Sequence, residues 1–394
     1  MISVDEALTR CLALVQPLAT EQVPLARANG RYMPGPAHAS RDQPPFAASA
    51  MDGYAVQGDP VPGARFTVVG EAGAGHGWHG RLGQLQALRI FTGAPLPDGA
   101  TRVIIQEDVT REGDIITVQP GADAAPHIRP AGQDFRAGDS LSPRRIGPND
   151  LALLAAMNHA TVRVTRRPIV ALIATGDELV MPGETPGPDQ IIASNSFAIK
   201  ALCEDAGAEL RLLPIARDTV PALTTVFDLA RGADLIVTTG GASVGDHDLV
   251  AQVATGLGLD RAFWKIAMRP GKPLMAGRMG EAAMLGLPGN PVSAIVCTHL
   301  FLLPMICALL GMPQTELAPR PRRAVLATDV GPTGPRTHYM RAALTPTDAL
   351  PQITPFDRQD SSLLSVLAAA DALLIRPAGD GPRRTGEVVS YLPL

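Results

Sequence analysis

Residues 238–249 read TTGGASVGDHDL, and these residue types suit one kind of chemistry. Gly240 and Gly241 let backbone amides turn inward with no Cβ in the way. Ser243 adds a hydroxyl, and a helix start is expected near Asp246 to Asp248, where amide N–H groups and the helix dipole favour an anion. The carboxylates of Asp246 and Asp248 would repel that anion unless a divalent cation lay between. Mg²⁺ held by one or two carboxylates and by phosphate oxygens resolves the conflict. Asp246 reads equally well as a helix cap. A cap needs only one of the two acids, so Asp248 is the stronger metal candidate. The loop has neither the GxxxxGKS/T nor the GxGxxG spacing, which sets aside kinase-type and nicotinamide chemistry.

Two further loops share the pattern of glycine with polar or acidic residues after an apolar run. Thr175-Gly176-Asp177-Glu178 follows PIVALIA, and Pro288-Gly289-Asn290-Pro291-Val292-Ser293 follows MLGL. Cations come from WKIAMRPGKPLMAG (264–277), where Lys265, Arg269 and Lys272 fall within eight residues. Pro270, Gly271 and Pro273 stiffen that turn, which suits an oxyanion such as phosphate, sulfate or molybdate. A second cluster lies earlier. Asp52 sits among apolar and small residues in PPFAASAMDGYAV, which suggests a partly buried carboxylate with a task. Thr92 stands at a strand end in IFTGAPLPDGA, and Arg129, Asp134 and Arg136 belong to RPAGQDFRAGD. The eight histidines show no metal spacing, and no Gly-x-Ser-x-Gly elbow occurs, so acyl transfer by a triad is unsupported.

The elements that must position these groups alternate strand and helix between 167 and 315. PIVALIAT, ELRLLPIA, ADLIVTTGG and AAMLGLPGN read as strands. SNSFAIKALCEDAG (Ser194 or Asn195 as N-cap), TVPALTTVFDLARG, HDLVAQVATGLG and a long apolar stretch from Val292 read as helices. That is a doubly wound α/β domain, whose ligands lie beyond the carboxyl ends of its strands. Short strands with Gly/Pro/Asp turns fill 45–137, with TREGD as a hairpin loop. Further short strands after 316 suit a small barrel or a sandwich. Residues 1–44 and 138–166 supply helical and extended connecting parts, among them an N-terminal amphipathic helix with Ser3 and Glu6 as a capping box.

The chain has 394 residues, which is enough for several cores. A net charge of −4 argues against a general nucleic-acid binder but leaves room for a small anionic ligand. The four cysteines form no CxxC pair, and they are expected to be buried thiols in a reducing cytoplasm. MISVDEALTR has no basic leader region and is not read as a signal peptide. The stretch 292–311 is long enough to span a bilayer, yet His299 and Pro304 lie in it and no second span exists. It is expected to be a helix buried on several sides in the α/β domain, not a membrane segment.

PPFAASAMDGYAV, IFTGAPLPDGA, TGDEL, TTGGASVGDHD, MRPGKPL and GLPGNPVSA, in that order, resemble the signature blocks of the molybdopterin molybdenumtransferases, the MoeA family that includes the gephyrin E domain. The resemblance implies a multidomain α/β-plus-β fold: an N-terminal helical and extended dimerisation part, a small β domain, an α/β domain of the molybdenum-cofactor-binding kind and a C-terminal β barrel. It implies a homodimer whose cleft is shared between subunits, with Asp52 and Asp134 working from the partner. The implied reaction uses adenylylated molybdopterin, molybdate and Mg²⁺, and releases AMP. Carried over by motif are Asp52, Thr92, Asp134, Glu178, Asp248, Pro288 and Pro291. Gly240, Gly241, Ser243, Arg269, Lys272, Asn290 and Ser293 join them as substrate-binding candidates. Asp246 stands where the family usually has Glu, and QDSSLLSVL replaces a commoner Gly-Ser-Gly segment, leaving Ser361 or Ser362 for that segment's serine. A molybdopterin adenylyltransferase is a candidate partner. The competing readings are that adenylylation step itself, which uses the same α/β fold, and a scaffold of the gephyrin type.

Overall fold

Helix α1 (Val4–Leu12) starts where the Glu6 amide donates to the Ser3 hydroxyl at 3.1 Å, satisfying one of the N–H groups a helix start leaves open. Ala7 and Cys11 on this helix are fully buried. The computed structural model describes residues 1–240 and 249–394. It falls into two units, one of Met1–Glu21, Gly30–Pro34 and Arg163–Leu394, the other of Gln22–Asn29 and Gly35–Val162.

The smaller unit is built on six strands: β1 (Gly53–Val56), β2 (Arg65–Ala72), β3 (Gln86–Ile90), β4 (Arg102–Ile105), β5 (Val109–Glu112) and β6 (Ile115–Val118). Their order is β4-β1-β3-β2-β6-β5. Alternate residues of β1 serve opposite faces. Tyr54 and Val56 pack with Phe66, Ile104 and Ile116, while Ala55 packs with Leu82, Leu88 and Val103. That is the period-two rule of a sheet covered on both sides. The expected hairpin is present, with Glu112 opposite Ile115 and Gly113 at φ 61° in the turn between them. Helix α2 (Pro148–Ala156) belongs to the same unit.

In the larger unit, strands and helices alternate as β7 (Ile169–Ala174), α3 (Asn195–Asp205), β8 (Glu209–Leu212), α4 (Val220–Leu229), β9 (Leu235–Thr239), α5 (Leu249–Gly256), β10 (Leu259–Trp264), β11 (Met275–Met279) and β12 (Ala282–Leu287). The sheet order is β8-β7-β9-β12-β11-β10. The first four strands are parallel; β7, β9 and β12 are mostly apolar and buried, as strands covered on both faces must be, while β8 at the edge exposes Glu209 and Arg211. Val170 and Leu172 point to the core under α3. Ala171 and Ile173 point to the core under α4 and α5. The antiparallel edge of β11 and β10 was not legible in the pattern, because a register shift between Arg261 and Phe263 breaks the alternation of β10.

The apolar segment after β12 forms α6 (Pro291–Cys297), a π turn at Thr298–Leu302 and α7 (Leu303–Leu309). The π turn lies just before Pro304, which has no N–H to return to the preceding turn. This helix is long and apolar enough to cross a membrane, but 83% of it is buried inside the protein. It is a core helix, as the interrupting His299 and Pro304 suggested.

Strands β13 (Arg322–Leu326), β14 (Thr337–Thr345), β15 (Gln352–Pro355), β16 (Ala372–Arg376) and β17 (Val388–Pro393) run in the order β14-β15-β13-β17-β16, and β16 pairs back onto β14. That last pairing closes a five-stranded barrel and removes the sandwich alternative. The nine residues of β14 are enough to pair with both neighbours. Tyr339, Leu373 and Leu392 of the barrel share one apolar cluster with Leu300, Phe301 and Met305.

Phe301 has no exposed surface in that shared cluster. Phe301→Ala is expected to cost about 3–5 kcal/mol of stability through lost burial and a residual cavity. Urea unfolding of the variant should show this as a lower midpoint with an unchanged slope.

Candidate functional site

At the carboxyl end of the parallel sheet, Ala174, Thr239 and Leu287 stand side by side in register. Beyond them lies a cavity of about 540 Å³. Its walls include Thr175, Glu178, Gly240, Pro288, Asn290 and Pro291. Gly240 has φ 90°, and a Cβ on it would lie 2.4 Å from the Thr175 carbonyl oxygen. Only glycine lets β9 leave the sheet so close to β7. The Thr175 amide donates to the Thr239 carbonyl at 2.9 Å, and the Gly289 Cβ position is 3.4 Å from the Gly240 Cα. The three loops therefore meet backbone to backbone.

Polar side chains fasten this junction. Asn195, at the start of α3, donates from Nδ2 to the Gly289 carbonyl at 2.7 Å. Asn290 Nδ2 donates to Ser361 Oγ at 3.1 Å, and the Val292 amide donates to the Ser361 carbonyl at 3.1 Å. Ser362 lines the cavity, and its amide and hydroxyl donate to Asp360 Oδ1 at 2.8 and 2.6 Å. Those bonds hold the Asp360 carboxyl below its ordinary range. The loop that carries both serines is pinned from below by Arg341. Its guanidinium is almost fully buried and donates to the Asp360 carbonyl at 2.7 Å and to Gln359 Oε1 at 3.3 Å.

Glu178 lines the cavity wall, and Asp177 and Asp218 lie close behind it. The Asp218 amide donates to Asp177 Oδ1 at 3.2 Å. Burial, then the charges of Asp177 and Glu178, raises the Asp218 carboxyl above the usual range. Like charges so close favour a cation or a proton among them. An oxygen-only donor set of this kind suits Mg²⁺. Among the described residues, however, no three acids, histidines or cysteines converge tightly enough to hold a metal ion by themselves. Asp218 was missed in the sequence, although the rule that found the other three loops points to it, since it follows β8. Asn195 and Arg341 carried no such signal.

The remaining candidates are distributed as follows. Arg269 is exposed and pairs in a two-residue parallel ladder with His338. Burial, then Arg269, Arg341, Arg376 and Arg336, pushes His338 down to about 4, so positive potential accumulates there. Lys272 is half-buried one residue before Pro273, which lines the cavity. Ser293 is buried in α6 and is not part of the wall. Gly241, Ser243, Asp246 and Asp248 lie outside the described residues.

In the smaller unit, the Thr92 amide and hydroxyl both donate to Asp52 Oδ1 at 2.8 Å. Asp52 is exposed, not partly buried as its apolar neighbours suggested. Gly53 explains the difference. A Cβ there would lie 2.0 Å from the Ile104 carbonyl oxygen, so β1 is pressed against β4 while the residue before it stays outside. The two Thr92 bonds, offset in part by desolvation and helped by Arg89, hold the Asp52 carboxyl below its usual value. Asp134 is exposed, and its amide donates to the Gln43 carbonyl at 2.9 Å.

Comparison with known families accounts for nearly the whole chain. Residues 2–158 match the MoeA N-terminal region (domain I and II). Residues 171–308 match a probable molybdopterin binding domain, and residues 323–394 match the MoeA C-terminal region (domain IV). A molybdopterin molybdenumtransferase of Nostoc is 34% identical over 388 residues, covering 95% of this chain and 89% of its own. One from Bacillus subtilis is 32% identical over 407 residues, covering 99% and 94%. The crystal structure of the molybdopterin biosynthesis MoeA protein of Pyrococcus horikoshii superposes with a TM-score of 0.84 at 28% identity, over 100% of this chain and 99% of that one.

Thr92→Val removes one of the two bonds to Asp52 and should raise the Asp52 pKa towards the ordinary carboxylate value. Carbon NMR of the Asp52 carboxyl reads this directly. Because the folded-state value is depressed, the stabilisation it lends is present above the unfolded-state pKa and is lost as pH falls through the folded one. The variant should lose part of that acid-side dependence, and an unmoved Asp52 titration would show that Thr92 does not set it.

Proposed function

The chain belongs to the molybdopterin molybdenumtransferase family, transferases of molybdenum cofactor biosynthesis that insert molybdenum into molybdopterin, and from that premise we propose how its own residues serve the transfer. The substrate is adenylylated molybdopterin, with molybdate as the metal source and AMP as the product released. The observation that carries this reading is the cavity at the in-register strand ends, where inward-facing glycine backbone adjoins the carboxylate of Glu178.

Backbone at Gly240 and Gly289, with Gly241 and Ser243, seats the phosphates of the substrate, since no Cβ keeps the oxygens away. Asp248, with Asp246, would hold Mg²⁺, and Glu178 would support it from the wall; an ion held there would supply charge neutralisation for the phosphate of the substrate. Pro288, Asn290 and Pro291 fix the opposing loop. Arg269 and Lys272 attract molybdate, and Ser293 adds a hydroxyl near α6. The chemistry is mostly positioning and charge neutralisation, as phosphoryl chemistry generally is.

The chain divides into a helical and extended dimerisation part (1–44 with 138–166), a small β domain (45–137), the α/β domain (167–315) and the barrel (316–394). It works in the cytoplasm as a homodimer, in which Asp52, Thr92 and Asp134 of one copy complete the cavity of the other. The depressed Asp52 carboxyl supports that role, because it stays charged at neutral pH. A molybdopterin adenylyltransferase is the natural supplier of the substrate, with no nucleic acid or membrane involved.

Incubation with adenylylated molybdopterin, molybdate and Mg²⁺ should release AMP. Asp248→Asn should abolish release at low Mg²⁺, and Glu178→Gln should slow it by roughly 10²-fold, both with unchanged circular dichroism. Absence of AMP from the wild-type protein would sink the reading. Mixing inactive Asp52→Asn with inactive Asp248→Asn chains should restore activity through one intact cavity per heterodimer. Verified heterodimers without activity would rule out a shared site.

A further inference from the structure

One stretch of the cavity wall differs from the rest. After Glu178 the chain forms the two-residue strand Leu179–Val180, which pairs in parallel with Ile191–Ile192. The Ile191 amide donates to the Glu178 carbonyl at 2.7 Å, and the Ala193 amide donates to the Val180 carbonyl at 2.9 Å. This small ladder fixes Ile191 and Ile192 on the wall, where they are 58% and 38% exposed. Two adjacent β-branched aliphatic side chains are thus held open to water on a built element, beside Leu179 and Ala193 of the same wall. Single exposed apolar residues are ordinary, whereas an apolar surface inside a cavity is a surface for a ligand.

Asn195 follows a few residues later on the same wall. Its Nδ2 is committed to Gly289, but its Oδ1 is enclosed and has no hydrogen-bond partner. Such an acceptor is left short of a donor. Asn195 as a residue is only half-buried and lines the cavity, so the unfilled acceptor belongs to the wall. A flat ring system with N–H groups on its edge answers both features. Its faces cover the isoleucines, and its edge supplies the missing donor.

We propose that Ile191 and Ile192 form a platform for the flat, amino-bearing nitrogen heterocycle of the substrate, with Asn195 accepting an N–H from its edge. This rests on the reading of the substrate as adenylylated molybdopterin. Both halves of that molecule carry such a ring, the pterin and the adenine. Phosphates seated at Gly240 and Gly289 leave either ring within reach of the platform, because Asn195 is bonded to Gly289 itself.

Calorimetric titration of the full-length protein with AMP, and separately with 6-hydroxymethylpterin, tests the platform and identifies the ring. The Ile191→Ala/Ile192→Ala double variant should bind one of the two about 10-fold more weakly than wild type, because aliphatic area covered by the ring is lost. Asn195→Ala should weaken the same ligand, and molybdate binding should be unchanged in both variants. Weaker AMP binding places adenine on the platform, and weaker pterin binding places the pterin there. Equal affinities in wild type and variants overturn the proposal, as does failure of the wild type to bind either ring. Ile191→Thr, which keeps the β-branch of the ladder, replaces the double variant if that variant melts early. AMP release from the adenylylated substrate is measured on the same preparations. Turnover with unaltered ring affinities removes the platform and leaves the transferase, whereas no turnover in the wild type removes the transferase itself.

Discussion

The parallel register of β7, β9 and β12 sets Ala174, Thr239 and Leu287 abreast, and the geometry of the site descends from that alignment. Strands that end level deliver their next residues to one place. The residues that follow must then share a small volume, which is possible only where side chains are absent. Gly240 meets the Thr175 carbonyl and Gly289 meets Gly240. Close backbone contact creates a wall of main-chain groups, and a wall of that kind accepts phosphate oxygens that a Cβ would exclude. The apolar β-branched composition of the strands and the small residues of the loops are two sides of one constraint.

Electrostatics divides the larger unit into regions of opposite sign. Burial, then the charges of Asp177 and Glu178, raises the proton affinity of Asp218 beyond the ends of β7 and β8. Around His338 burial, reinforced by Arg269, Arg341, Arg376 and Arg336, drives the imidazole to about 4. Fixed partial charges alone could not provide that separation in water, where interactions between charges are heavily screened.

The barrel takes part in the site through one buried side chain. Arg341 lies on β14, yet its bonds go to the 358–360 backbone and Gln359, and that loop carries Ser361 to Asn290. Burial lowers the Arg341 pKa, and the buried cation is tolerated because several carbonyl-type oxygens surround it. The cluster joining Phe301 to Leu373 and Leu392 holds the barrel against the core helix on which this contact depends.

Much of this was legible in the residue pattern, because strand and helix periodicity and turn chemistry are local. The alternation between 167 and 315, the TREGD hairpin and the burial of the 291–309 helix needed no tertiary information. The blocks around Glu178 and Pro288, singled out by residue type, do line the cavity. Other features depended on contacts between distant segments. Sandwich or barrel turned on one pairing, β16 with β14. The exposure of Asp52 turned on the press of β1 against β4. Asn195 acquires meaning only from Gly289, 94 residues on, and Arg341 and the isoleucine ladder from loops that fold back over 12 to 19 residues with no periodic signal. Local sequence determines which element forms and which face is apolar; which elements then touch is decided by packing and by hydrogen bonds between remote backbone groups, and no period of two or 3.6 residues encodes those.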